Sequence, residues 1–350
     1  MRCRAAILLA RDEPLVIDEI DLPDPRPDQV VVKLFASGVC HTQLHQMHHR
    51  PVDQPTLLGH EGSGVVAMVG RDIHHLKEGD HAMVTWLHRS QGSGPRDGPP
   101  TGASYRGRQL GEKSAVFTWS DYTLTAGDHA IRMRPDDPTD VSCVVGCALA
   151  TGAGAVLNTA QVRPGDSVAV FGAGGVGLAA IRAAAILEAS PIIAVDLSEE
   201  KLAFASEWGA TDTVDASTDD AVTAIREMTD GGVAYAFDTI GARATTEQIL
   251  SATRAGGSGA GNEGGMAILV GVSTEEMTLD PRLFLAQRQY RGSLGASDPE
   301  RDFPRYLSWH RQGKFPLDRL ITRRYRLDDI NEACGALAAG EILGRAMVEF

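Results

Sequence analysis

The chain has 350 residues, 43% hydrophobic and 23% charged, with 38 glycines; that is enough to bury two cores without disulfide staples, and far from disordered or collagen-like compositions. Forty-six acidic against 33 basic residues leave a formal charge of −13, and no stretch gathers Lys or Arg to offset it, which argues against nucleic acid or an anionic membrane as partner. Five cysteines, an odd number in a long chain, argue against a disulfide framework and for a reducing, cytoplasmic compartment.

The first apolar run follows a basic head, but Arg11-Asp12-Glu13 cuts it too short for a signal peptide. It reads as a strand over 4–9. Further strands are expected at 15–20, 30–36, 64–69, 81–85 and 121–125, with Pro and Gly between them: an irregular β domain. The segment 143–162 carries no charge over twenty residues, yet its glycines, threonines, Asn158 and Gln161 predict a buried helix and turn rather than a membrane span. From 167 the rhythm becomes short apolar runs, 168–171, 192–195, 234–237 and 266–270, separated by helical stretches, the pattern of βαβ units around a doubly wound parallel sheet. Two segments, 89–111 and 256–265, are rich in Gly and polar residues and read as loops.

A dinucleotide fingerprint opens the second half. The strand ending at Phe171 runs into Gly172-Ala-Gly174-Gly175-Val176-Gly177 and then a predicted helix over 178–187. Gly172 permits the tight turn, Gly174 lets the backbone approach a pyrophosphate at the helix N-terminus, and Gly177 allows the helix to pack closely on the strand. Asp196 ends the next strand, nineteen residues past Gly177. A carboxylate there accepts from the adenosine ribose hydroxyls and repels a 2′-phosphate, which favours NAD over NADP.

Cys40, His60 and Cys147 offer two thiolates and an imidazole, a set that suits a catalytic zinc whose fourth position is left for water or substrate oxygen. Spacing alone does not establish this site. However, Gly38-Val-Cys40-His41-Thr42, Gly59-His60-Glu61-Gly62, Gly79-Asp80, Cys147-Ala-Leu-Ala-Thr151-Gly152 and the glycine turn stand in the order and approximate spacing of the zinc-dependent medium-chain alcohol dehydrogenases, which the chain resembles over nearly its whole length.

That resemblance implies an α/β architecture: a GroES-like β-rich catalytic domain, 1–148 with a C-terminal return over 295–350, and a Rossmann NAD-binding domain over 149–294. It implies Cys40, His60 and Cys147 as zinc ligands, with Glu61 as an acid close to the metal. Thr42 resembles the hydroxyl that bonds the alcohol oxygen, and His45 the outer end of a proton relay, a role suited to a group that titrates near neutrality. Trp86 resembles the aromatic lining the inner substrate pocket. Thr151 and Val176 lie where side chains contact the nicotinamide, Lys201 where a cation contacts the adenosine ribose, and His41 and Arg345 where the pyrophosphate is held. The expected partners are a small alcohol or aldehyde and further copies of the chain, as a homodimer or homotetramer.

The pattern is broken in two places. Family members commonly hold a second, structural zinc with four clustered cysteines, and 85–112 contains none, so one zinc per chain is expected. Gln43 stands where an aspartate usually lies behind the metal, bringing an amide without charge. The reading is therefore an NAD- and zinc-dependent alcohol dehydrogenase. Its rivals are a nicotinoprotein that keeps its NAD and uses another electron acceptor, a zinc reductase of bulky or unsaturated aldehydes, and a non-catalytic NAD-binding protein. The other histidines read as exposed or loop-borne, and Cys143 as core.

Overall fold

The computed structural model describes residues 1–89, 102–112, 114–259, 261 and 263–350. Most of the first expected loop, 90–101, lies outside those residues, and its remainder holds two short strands, Ser104–Tyr105 and Arg108–Gln109, paired with each other. The chain forms two compact units, Met1–Cys147 with Asp298–Phe350, and Ala148–Ser297.

In the first unit β1 (Arg2–Leu8) pairs antiparallel with β2 (Val16–Asp21). Side chains alternate across a strand, so Ala5 and Ile7 enter one core while Ala6 and Leu8 enter another. The long β3 (Gln29–Val39) ends at Cys40, where α1 (His41–His49) begins. β4 (Glu61–Val69), β5 (His81–Thr85), β6 (Tyr122–Ala126) and β7 (Ala130–Arg132) follow. β3 pairs with both β4 and β6, β4 with β5, and β5 with β7. Val30, Val32 and Leu34 of β3 pack with Val66, Ala82, Val84 and Ala130 in one core.

The second unit begins with α2 (Ala148–Gly154). The uncharged segment is thus three short helical pieces: a 3₁₀ turn Val141–Gly146, then α2, then a wider-wound turn Ala155–Ala160. β8 (Val168–Phe171), α3 (Gly175–Ile186), β9 (Ile192–Asp196), α4 (Glu199–Glu207), β10 (Asp212–Asp215), β11 (Tyr235–Asp238), β12 (Met266–Leu269) and β13 (Gln289–Gly292) follow. The strands run in the order β10-β9-β8-β11-β12-β13, every neighbour parallel. This is the doubly wound dinucleotide order, in which ligands sit outside the strands' carboxyl ends where the order reverses, beside β8. The helix after β8 starts three residues earlier than its sequence predicts: glycine is a poor helix former, which hides the first turn in the sequence, yet Gly174 caps α3 and Gly175 is already helical.

The chain then returns to the first unit. β14 (Ile321–Arg326) pairs parallel with β15 (Arg345–Glu349), and β15 pairs antiparallel with β3. Between them, Ile330, Ala333 and Leu337 join Leu44 and Met47 of α1 in one buried cluster. Each fully buried side chain of that size contributes about 1.5–3 kcal/mol, so the return clamps α1 and fixes the residues that flank Cys40.

Candidate active site

Three segments converge in the first unit. Cys40 caps α1, His60 and Glu61 stand at the start of β4, and Cys147 follows the 3₁₀ turn. Their ligand atoms all lie within 4.8 Å of one another, and all four residues are buried. Among the described residues this is the only group of three or more His, Cys, Asp or Glu gathered so tightly. His60 Nε2 is 3.1 Å from Cys147 Sγ, and Thr42 Oγ1, in the first turn of α1, is 3.6 Å from Cys40 Sγ. Trp86 stands edge-on to the His60 ring, centroids 6.5 Å apart.

Charge is concentrated here without solvent. The hydrogen bond with Cys147 holds the Cys40 thiol well below its ordinary pKa, against burial and with help from Arg345. The same bond, with burial, pushes Cys147 well above its ordinary value. Burial raises Glu61, and the Arg345 cation opposes it. Arg345 enters at the first residue of β15 and donates from Nε to Glu61 Oε1 at 3.1 Å, with Nη2 on the same oxygen. Burial works to lower the Arg345 pKa, yet the charges of Cys40, Glu61 and Cys147 hold it well above its ordinary value. This pair is absent from the sequence reading. Its signal is the lone Arg at the head of the apolar run Arg345-Ala-Met-Val, because a cation in such a strand needs a buried partner.

The residues fit a divalent zinc. Gln43 is buried and faces His60 through Nε2 and Nδ1, while its Oε1 has no partner, and neither has Glu61 Oε2. In that arrangement His60 accepts at Nδ1 and carries its proton on Nε2, toward Cys147. A metal ligand through Nε2 needs the other tautomer, with Nδ1–H donating. Turning the Gln43 amide over then gives the orphaned Oε1 its donor. Two thiolates and Glu61 against Arg345 and a divalent cation also sum to zero charge.

In the second unit Gly172 has φ +96°, and a Cβ on Gly177 would come within 1.8 Å of Gly172 O. At Gly174 a Cβ would meet nothing, so the space beside the N-terminus of α3 is open where an anion is favoured. Asp196 spends one oxygen on Ala173 N (2.8 Å) and the other on Ser198 N (3.1 Å), which ties the glycine turn to the end of β9. Thr151 on α2 and Val176 on α3 are half-buried on helices packed closely enough that a Cβ on Gly152 would strike Val176 O. Lys201 lies in the first turn of α4.

Thr42 and His45 both lie on α1, Thr42 within reach of Cys40, with exposed His41 at the first position. The structure places Arg345 on Glu61. His129, expected to be exposed or on a loop, is buried: Nδ1 donates to Thr85 O (3.0 Å) and Leu87 O (3.2 Å), and burial lowers its pKa to about 4.

Comparison with known proteins agrees with this geometry. The Zinc-binding dehydrogenase family matches residues 175–312 and the Alcohol dehydrogenase GroES-like domain matches 26–136. The chain is 32% identical over 373 residues to the geraniol dehydrogenase of Castellaniella defragrans, covering 99% of this chain and 97% of that one. Among solved structures it resembles an alcohol dehydrogenase zinc-binding domain protein from Burkholderia ambifaria (33% identity, TM-score 0.91). It also resembles the benzyl alcohol dehydrogenase of Acinetobacter calcoaceticus (30%, TM-score 0.89). Both alignments span 100% of this chain and 99% of the other.

Proposed function

The chain belongs to the zinc-dependent medium-chain alcohol dehydrogenases, and from that membership we propose that it interconverts small primary or secondary alcohols with their aldehydes or ketones, using NAD. The observation that carries this reading is the buried cluster of Cys40, His60, Cys147 and Glu61.

Cys40, His60 and Cys147 would hold the zinc. When bound, zinc supplies a Lewis acid that makes an alcohol proton labile near neutral pH, as it takes water from a pKa of about 15.7 to about 7. NAD supplies the hydride acceptor. The Thr42 hydroxyl, set by the first turn of α1, orients the alcohol and takes its proton while giving up its own to a relay whose outer end is His45, which passes a proton to solvent. Glu61 and Arg345 hold the charge of the cluster in place. Trp86 narrows the space in front of His60, so aliphatic and benzylic alcohols without large branches fit first. Gly172, Gly174, Gly175 and Gly177 make room for the pyrophosphate, and the carboxylate of Asp196 selects NAD. Thr151 and Val176 face the nicotinamide, and Lys201 the ribose.

One zinc per chain follows from the lack of cysteine in 85–112. Homo-oligomers and a cytoplasmic location complete the reading; five free cysteines support a reducing compartment, and no helix among the described residues is long and apolar enough to cross a membrane. The test is NADH appearance across a panel of alcohols with and without a zinc chelator. Chelator-sensitive turnover is the expected result, and its absence on every alcohol overturns the proposal.

A further inference from the structure

Four of the nine residues of α1 are histidines: His41, His45, His48 and His49. Residues four apart share a helix face, and His45 and His49 do so with their rings nearly parallel, centroids 5.1 Å apart and planes at 28°. His49 is exposed and His45 half-buried. The backbone beneath them is held from the other side, where Leu44 and Met47 are buried in the cluster with the C-terminal return. His48 is turned elsewhere, its Nδ1 2.8 Å from Asp12 Oδ1.

We infer that His45 and His49 form a second, surface metal site for one borderline divalent cation of the zinc, nickel and copper class, separate from the buried cysteine cluster. Neutral imidazole suits these metals, and two histidines one turn apart on a helix is the spacing from which helical zinc sites are built. Burial lowers the pKa of His45, and the charges of His49 and Arg50 add to this, which favours the neutral ring with one nitrogen free to bind a metal. Arg50 is also the cation that opposes a bound metal here. With no thiolate in the set, the site exchanges its ion and fills only when free metal is in excess. Water completes the coordination.

The consequence for turnover rests on the proposed role of His45 in carrying the proton outward. A metal on His45 occupies the lone pair that the proton needs. Excess metal then slows the enzyme without displacing the zinc held by the cysteines.

The test adds Ni²⁺ to the zinc-loaded enzyme and follows Ni²⁺ bound per chain by equilibrium dialysis, zinc retained, and turnover. One Ni²⁺ per chain is expected beyond a full zinc complement. His49→Gln is expected to weaken that binding at least about tenfold, since losing even an outer partner of a metal ligand costs about 10–100-fold, and His48→Gln to leave it unchanged. Absence of bound Ni²⁺, or equal binding by His49→Gln, overturns the site. Slowing of the parent enzyme by Ni²⁺ that is lost in His49→Gln supports both the site and the relay. Binding that His49→Gln abolishes, with turnover unaffected in the parent, supports the site and removes His45 from the relay.

Discussion

The metal cluster and the glycine turn are two ways of building a site. The turn is one contiguous stretch: β8 ends, Gly172 reverses the chain at φ +96°, and Gly174 caps α3. Backbone geometry does the work, and almost any strand and helix of the right length would present the same N–H groups. The cluster is assembled from residues 40, 60, 61, 147 and 345, and depends on side-chain charges buried against one another. Damage to a contiguous site stays local, whereas damage to an assembled one leaves partners stranded away from water.

Removing a ligand breaks the contrast hardest. Cys147→Ser takes one thiolate from the set, and the Lewis acid it helps hold is worth several kcal/mol of barrier. We expect zinc content to fall and kcat to drop at least about a thousandfold, while NADH binding, read by fluorescence, stays within about twofold because the second unit is untouched. A parallel loss of NADH binding would show that the two sites are not independent.

Arg345→Leu comes next. It leaves Glu61 buried with neither oxygen paired, and breaking a buried pair from one side costs about 3–5 kcal/mol. Urea unfolding of the metal-free protein should show that loss, and adding Glu61→Gln to Arg345→Leu should recover most of it. If the double variant is no more stable than the single one, Arg345 acts through packing and not through charge.

The contrast also decides what the sequence reveals. The turn, its preceding strand and Asp196 are legible because they are local, and the one error there, the start of α3, comes from glycine's low helix propensity. Four strands of the parallel sheet are legible from their apolar runs, whereas the edge strands β10 and β13 are too polar and too exposed to stand out. In the cluster, single residues mean little: Cys40 and Cys147 stand 107 positions apart, and Arg345 and Glu61 are 284 apart, so resemblance to a family brings the ligands together where periodicity cannot. Family resemblance still did not reveal the Arg345 to Glu61 pair, because the family pattern assigns each residue its own role. His129 is illegible for a related reason. It sits in the polar turn Gly127–His129, and only the chain around it, with the Thr85 and Leu87 carbonyls as acceptors, buries it.

A smaller effect separates two roles of Asp196. Its carboxylate staples Ala173 N and Ser198 N, and is also proposed to select NAD. Asp196→Asn keeps one of the two staple bonds and removes the charge. Hydrogen bonds to charged groups are worth about 1.5–3 kcal/mol, so the ratio of kcat/KM for NAD over NADP should fall about tenfold to a hundredfold. An unchanged ratio would leave Asp196 as a staple alone.

The smallest expected change lies behind His60. With a divalent cation bound, the cluster is neutral as long as position 43 carries an amide; Gln43→Asp adds a negative charge facing His60 Nδ1. A carboxylate makes the ring a better donor to the metal and the cluster less able to tolerate a further negative charge. Zinc affinity, measured by competition with a chelator, should therefore rise by about tenfold, the low end for partners of metal ligands. The pH at which kcat reaches half its maximum should move upward, because the added charge disfavours loss of the alcohol proton. Turnover at neutral pH then falls while turnover at high pH does not. A pH profile that stays in place while affinity rises would mean that Gln43 orients the ring without setting the charge of the site.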